Sequence, residues 1–426
     1  MARATALFRL YQSAAALTVP FFARATVNRL RRAGVPVMRA HERLGHATAD
    51  RRLGPLIWFQ GHSARDTSAL LPLMHQVAQT APHVRMLLTS CTAGSAEAVA
   101  NRLPFGAVHQ FGPLDSTGPL ERFLSHWRPD LCVLVHSDLW PNLLDRCARR
   151  DIPVALLDTQ LTESSARGWR KFPDTTAFVL RGVVHAHCQD RQTQDHLRAM
   201  GLRCASAGTP LSSLIQTSHV PADRLDAANA ALSGRRVWVA AATEPEESAA
   251  VLAAHATVLR DHPDLCLILA PAQGANAHDM LDKIRKERMT VAHQGAGDTL
   301  ADGAQVFLAD GTDAPDLWHA VSPIVFLGGT LTGGGPLSPL APAAAHTAIV
   351  HGTAYGAHAE TFTAFQLAQA SVEVQDGTAL ALAVHTLLTH PSQAAQLAAR
   401  ARPMADHGTR KLHALANDVL ALLQPE

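Results

Sequence analysis

The run Ile324-Val325-Phe326-Leu327-Gly328-Gly329-Thr330-Leu331-Thr332-Gly333-Gly334-Gly335-Pro336-Leu337-Ser338-Pro339-Leu340-Ala341-Pro342 decides how the rest of the chain is read. Its first four residues are apolar, as in a strand buried on both faces of a parallel sheet. Five glycines then fall within eight residues, and an Ala-rich stretch from Pro339 can start a helix. A strand, a glycine loop and a helix N-terminus make a place where backbone N–H groups can face an anion. Taken alone, a glycine cluster is as easily a flexible surface loop. Its position late in a long series of alternating strands and helices strengthens the phosphate reading, and the surface-loop reading stays open beside it.

Working outward, that series has two halves. The first runs through Pro55–Phe59, Val84–Thr89, Ala107–Phe111, Leu131–Val135, Pro153–Asp158 and Val183–Cys188, with helical stretches between them. The second runs through Arg236–Ala242, Leu265–Pro271, Val306–Asp310, Ile324–Leu327 and Thr347–His351, closed by Ala/Leu-rich helix over 377–423. Such βαβ alternation predicts doubly wound parallel sheets. No GxGxxG follows the first strand, so the usual dinucleotide fingerprint is absent.

At 426 residues, two domains are the expectation. A formal net charge of +1 gives no basic field for nucleic acid. The six cysteines (Cys91, Cys132, Cys147, Cys188, Cys204, Cys266) contain no CxxC pair and read as buried free thiols. The 24 histidines have no metal-ligand spacing, and no metal or cofactor is implied.

Residues 1–34 are basic and apolar, with Phe8, Leu10, Tyr11, Leu17, Phe21 and Phe22. Their apolar middle is too short for a confident membrane span. An interfacial helix, a cleaved signal peptide and a domain-packing helix are the three readings, the first preferred. In the first half, the turn Gln60-Gly61-His62-Ser63-Ala64-Arg65-Asp66 follows a strand and opens a helix, a common place for chemistry. Asp66 there reads either as a general base or as a helix cap.

Glu42-Arg43-Leu44-Gly45, Leu139-Trp140-Pro141-Asn142-Leu143, Ser165-Ala166-Arg167-Gly168, Gly328-Gly329-Thr330-Leu331 and Pro339-Leu340 with Pro342 resemble the family of 3-deoxy-D-manno-octulosonic acid (Kdo) transferases. The resemblance runs along the whole chain in the right order. It implies a GT-B glycosyltransferase, two Rossmann-like doubly wound domains facing a central cleft. It implies a CMP-Kdo donor, a lipid A precursor acceptor and the cytoplasmic face of the inner membrane as partners.

Carried over residue by residue, the resemblance makes Asp66 the base, in place of the family's Glu, and His136 the counterpart of a Glu associated with transition-state stabilisation. Ser63, Arg65 and Arg167 fall on the acceptor side. Pro271, Thr312, Asp313, Gly328, Gly329, Gly335, Ser338, Pro339 and Leu340 fall on the donor side. Two charged donor contacts of the family are replaced, by Ala272 and Ala341. The reaction implied is an inverting single displacement. A relative using another nucleotide sugar, and a catalytically impaired binding homologue, are the alternatives. Expected domains are a membrane-interface segment 1–34, an acceptor domain 35–212, a nucleotide-sugar domain 213–400 and a C-terminal helix 401–426 packing back on the cleft.

Overall fold

The computed structural model describes the chain except residues 1–3, 101, 136–138, 209, 212–213, 215–219, 221, 233, 273–274, 311–314, 334–336 and 424–426. The chain divides into two compact units, Met1–Leu214 with Lys411–Glu426, and Ile215–Arg410.

The first unit holds one seven-stranded parallel sheet. Its strands are β1 (Leu56–Gln60), β2 (Arg85–Ser90), β3 (Val108–Phe111), β4 (Leu131–Val135), β5 (Val154–Thr159), β6 (Val183–Cys188) and β7 (Ala205–Ala207), in the spatial order β3-β2-β1-β4-β5-β6-β7. All five residues of β1 and of β4 are buried, as expected of central strands covered by helices on both faces. On one face Trp58 packs on Phe123 with ring centroids 4.5 Å apart, and its indole N–H donates to Thr89 at 2.7 Å. On the other face Ile57, Phe59 and Leu70 join Leu412, Leu415, Ala416 and Val419. Those last four belong to the helix Pro391–Ala421. Residues 401–421 are therefore not a separate element: they are the end of a helix that begins at Pro391, and Leu412, Leu415, Ala416 and Val419 complete the core of the first unit.

The Glu42-Arg43-Leu44-Gly45 motif is structural glue. Glu42 is fully buried and accepts the Phe111 N–H at 2.7 Å, while Gly45 closes the turn at φ +86°. A Cβ at Gly45 would lie 2.0 Å from the Pro119 carbonyl oxygen, so only glycine fits. The Trp140-Pro141-Asn142 turn is likewise held from within. Asp115 accepts the Leu143 N–H at 2.7 Å, and the Asn142 side-chain amide donates to the Asp115 carbonyl at 2.8 Å.

Residues Ala6–Arg32 form one helix. Phe8 at its start is buried against Phe178, with centroids 5.0 Å apart, and Val27 and Leu30 near its end are buried beside Ala40 and Phe111. Between these anchors Leu10, Leu17, Phe21 and Phe22 are exposed. Among the described residues no helix is long and apolar enough to cross a membrane.

The second unit holds another seven-stranded parallel sheet: β8 (Val237–Thr243), β9 (Cys266–Pro271), β10 (Val291–His293), β11 (Val306–Leu308), β12 (Ile324–Leu327), β13 (Ala348–His351) and β14 (Ser371–Glu373), in the order β10-β11-β9-β8-β12-β13-β14. Its core lies on both faces, with Val239, Ile268, Val325 and Phe362 on one and Trp238, Leu267, Phe326 and Val350 on the other. All six cysteines are free thiols; five are buried, and Cys204 is exposed.

Candidate active site

In an open parallel sheet, the crevice for a ligand opens outside the carboxyl ends of the two strands where the winding direction reverses. In the first unit those strands are β1 and β4. The turn after β1 carries His62, Ser63 and Asp66. Ser63 is the N-cap of the helix Ala64–Thr80, its hydroxyl accepting the Asp66 N–H at 3.2 Å. The Asp66 carboxylate answers by accepting the N–H groups of Ser63 at 2.8 Å and His62 at 3.1 Å. This capping box fixes the carboxylate, which is buried, at the mouth of the crevice. Asp66 is thus a cap by geometry, and its location also suits a base. His136, which follows β4 in the sequence, lies outside the described residues. Beyond it Trp140 stands 6.0 Å from the His62 ring, centroid to centroid.

Arg65, on the first turn of the same helix, is exposed. Arg167 is 68 % exposed and lies 3.4 Å from Glu163, one helical turn away. Such a surface pair is worth well under about 1 kcal/mol, so the guanidinium is available to other anions at small cost.

In the second unit the reversal falls between β8 and β12, and the glycine run begins at the end of β12. Here the structure corrects the reading of the glycines as an open anion cradle. The Gly328 N–H is spent on the Ala241 carbonyl at 2.7 Å, within the sheet. The Gly329 N–H donates to Glu247 Oε1 at 2.5 Å, and the Leu331 N–H to Glu247 Oε2 at 3.4 Å. The same carboxylate caps its own turn by accepting the Glu244 N–H at 3.0 Å. Burial raises the pKa of Glu247 above the ordinary carboxylate value, and these amides offset that only in part. The cradle is real, but a side chain of the protein occupies it. The acidic run Glu244–Glu247 directly after a strand was the sequence signal for this residue.

The remaining donor-side residues separate. Leu340 is a core residue, packed with Val325 and Phe362, so only its backbone can face a ligand. The helix it opens, Leu340–Ala344, is five residues long and has no side-chain cap. Ser338 and Pro339 lead into it, the Ser338 hydroxyl accepting the Leu340 N–H at 3.4 Å. Pro271 ends β9 at the same edge of the sheet. Thr312, Asp313 and Gly335 lie outside the described residues. Among the described residues no group of three or more His, Cys, Asp or Glu is placed to hold a metal ion.

Residues 38–209 match the family model of 3-deoxy-D-manno-octulosonic-acid transferase (kdotransferase). The probable 3-deoxy-D-manno-octulosonic acid transferase, mitochondrial, of Arabidopsis thaliana is 27 % identical over 369 residues, covering 82 % of this chain and 81 % of that protein. The 3-deoxy-D-manno-octulosonic acid transferase of Haemophilus influenzae is 27 % identical over 348 residues, covering 78 % and 79 %. These matches support membership of the Kdo transferase family. The chain is a glycosyltransferase, and its two sheets have the GT-B architecture. Solved structures share that fold at low identity. A glycosyltransferase from Rickettsia africae superposes with TM-score 0.51 at 10 % identity, covering 88 % of this chain and all of that one. A UDP-GlcNAc 2-epimerase from Neisseria meningitidis gives 0.51 at 11 % identity, covering 86 % and 99 %. The part of this chain that matches the family model includes the Asp66 turn, Trp140 and Arg167.

Proposed function

We propose that this Kdo transferase moves Kdo from CMP-Kdo onto a lipid A precursor, with Asp66 as the base. The carrying observation is the buried Asp66 carboxylate, locked by the Ser63 capping box at the β1–β4 crevice. In the step proposed, an acceptor hydroxyl oxygen attacks the anomeric carbon, and the bond from that carbon to the CMP phosphate breaks. The electron pair leaves with CMP, the configuration inverts, and the hydroxyl proton passes to Asp66. A capping box that fixes the base before substrate arrives contributes to positioning, where displacements near 1 Å are costly. Arg65 and Arg167 are suited to acidic groups of the acceptor or sugar. The exposed Leu10, Leu17, Phe21 and Phe22 on a helix with basic residues suit the surface of an anionic membrane, where a lipid acceptor is presented. This supports a peripheral place on the cytoplasmic face of the inner membrane.

A second reading, a different nucleotide on the donor, is favoured by Ala272 and Ala341 and by Glu247 filling the Gly329 cradle. Thermal shift with CMP, UDP, GDP and ADP separates the two, since CMP-selective stabilisation supports CMP-Kdo and another nucleotide replaces it.

The test of Asp66 is CMP release from CMP-Kdo with a lipid A precursor, comparing Asp66→Asn with Ser63→Ala. Ser63→Ala removes one half of the capping box and costs about 1 kcal/mol of stability, while Asp66→Asn keeps a side-chain oxygen that can still accept the turn's amides. Only Asp66→Asn removes the base, so its turnover falls by roughly 100-fold or more while Ser63→Ala stays within a few-fold. Wild-type turnover in Asp66→Asn would show that Asp66 is a cap and nothing more.

A further inference from the structure

Beside the Asp66 turn, at the carboxyl end of β2, sits a cluster that the transfer reaction does not use. Cys91 is nearly buried, under the exposed His62 and Thr92. Arg43 is only 5 % exposed, and its Nη1 stands 3.3 Å from the Cys91 sulfur. Gln60 offers a side-chain N–H to the same sulfur at 3.9 Å, and His62 hydrogen-bonds it.

The charge balance around Arg43 is the decisive point. A buried guanidinium needs a compensating anion. Among the described residues no carboxylate lies within ion-pair distance of Arg43. Its neighbour Glu42 is turned to the Phe111 N–H and Thr48, and ion-pairs with Arg39. Arg43 donates to the Gly112 carbonyl, and its Nε is buried without a partner. The group in contact that can become an anion is the Cys91 thiol. Asp66, on the His62 turn, accepts the N–H groups of His62 and Ser63.

We propose that Cys91 is a thiolate held by Arg43 and His62, and that it is a site of oxidation by hydroperoxides, switching the acceptor-side turn. The chemistry balances as follows. The sulfur attacks the terminal oxygen of the hydroperoxide and the O–O bond breaks. Sulfur is oxidised by two electrons to the sulfenic acid, and the leaving oxygen takes a proton from the His62 imidazolium to depart as alcohol or water. The peroxide is the species reduced. A low-molecular-weight thiol restores Cys91, because the protein forms no disulfide among its cysteines. Electrostatics agree with this geometry: burial pushes the Cys91 thiol up, but the His62 hydrogen bond and the Arg43 charge outweigh it and leave its pKa below the ordinary value. The other cysteines with a resolved shift (Cys132, Cys188, Cys204, Cys266) are pushed up by burial. Oxidation adds an oxygen where Arg43, Gln60 and His62 converge, so it must displace the His62–Ser63 turn that orients Asp66.

The full chain is alkylated with iodoacetamide across a pH series, and each cysteine is followed by peptide mass spectrometry. Cys91 should show a midpoint below the ordinary thiol value and below that of exposed Cys204. His62→Ala, at an exposed position, should fold and raise the Cys91 midpoint, and Arg43→Gln should raise it further. In parallel, hydrogen peroxide followed by dimedone should label Cys91 first, and the label should vanish in Cys91→Ser. Transfer activity should fall on peroxide treatment in wild type, recover with a thiol, and resist peroxide in Cys91→Ser. A Cys91 midpoint at or above that of Cys204, no alkylation of Cys91 at any pH, or no dimedone adduct at Cys91 overturns the proposal.

Discussion

Glu247 meets the backbone of the glycine run with both carboxylate oxygens, a role that an external anion fills in many α/β proteins. Removing that carboxylate therefore has two consequences. Glu247→Ala leaves the Gly329 and Leu331 amides unpaired and should lower stability by about 1–3 kcal/mol, read by chemical denaturation. It should also make the protein respond to inorganic phosphate, with a rise in melting temperature that wild type does not show. Asp66 belongs to the same scale: one carboxylate serves both as cap and as proposed base, and the Ser63→Ala control separates the two roles.

At the scale of elements, the turn after β12 and the turn after β13 are stitched together by Thr330. Its hydroxyl donates to the Leu327 carbonyl at 2.5 Å and accepts the Gly352 N–H at 2.7 Å. A Cβ on Gly352 would stand 2.2 Å from the Thr330 carbonyl oxygen, which is backbone and cannot turn away. Gly352→Ala should cost about 2 kcal/mol or more and shift the unfolding midpoint accordingly. The helix Ala6–Arg32 makes the opposite case. Phe8, Val27 and Leu30 anchor it, so replacing the exposed Leu17 and Phe21 by serine should leave the melting temperature unchanged. If this helix lies on the membrane, the same double variant should bind anionic phospholipid vesicles at least about tenfold more weakly, since each buried side chain contributes roughly 1.5–3 kcal/mol. Equal vesicle binding would remove the membrane role of those residues.

At the scale of the whole molecule, both units bury histidines in neutral form. Burial, and then the charge of Arg39, lowers the pKa of His109 to about 4. Burial lowers His255 and His319 to about 4 as well. A histidine whose pKa is lowered by folding stays neutral in the fold while the unfolded chain takes up a proton. The stability it contributes is present above the ordinary value near 6.5 and is lost as pH falls through about 4. The melting temperature should therefore hold near neutrality and fall steadily between about pH 6.5 and pH 4. His255 is well satisfied, accepting the Trp238 indole N–H at 3.1 Å and donating to the Gln305 carbonyl at 3.0 Å. Both ring nitrogens of His319 are buried without partners. His319→Leu should then raise the midpoint, by about 1 kcal/mol at neutral pH and by more at pH 5.

The central strands, the two-sheet organisation and the glycine turn were legible in the sequence, because a strand covered on both faces must be a continuous apolar run. The same patterning found the helix after β1, though capping extends it back to Ala64. The edge strands β7, β10 and β14 escaped: they are three residues each and carry no apolar run. The chemistry was only half legible. Asp66 could be singled out because a carboxylate three residues past a serine after a strand has few readings. The acidic run marks Glu247 as a residue, but its pairing with the glycine amides and the Arg43–Cys91–His62 cluster were not legible, since the partners lie 82 residues away in one case and 48 in the other. Local pattern determines elements because hydrogen bonding and side-chain period act between near neighbours. What fills an amide cradle, and which thiol faces a buried cation, depends on which strand ends the winding of each sheet brings together, and only the tertiary structure decides that.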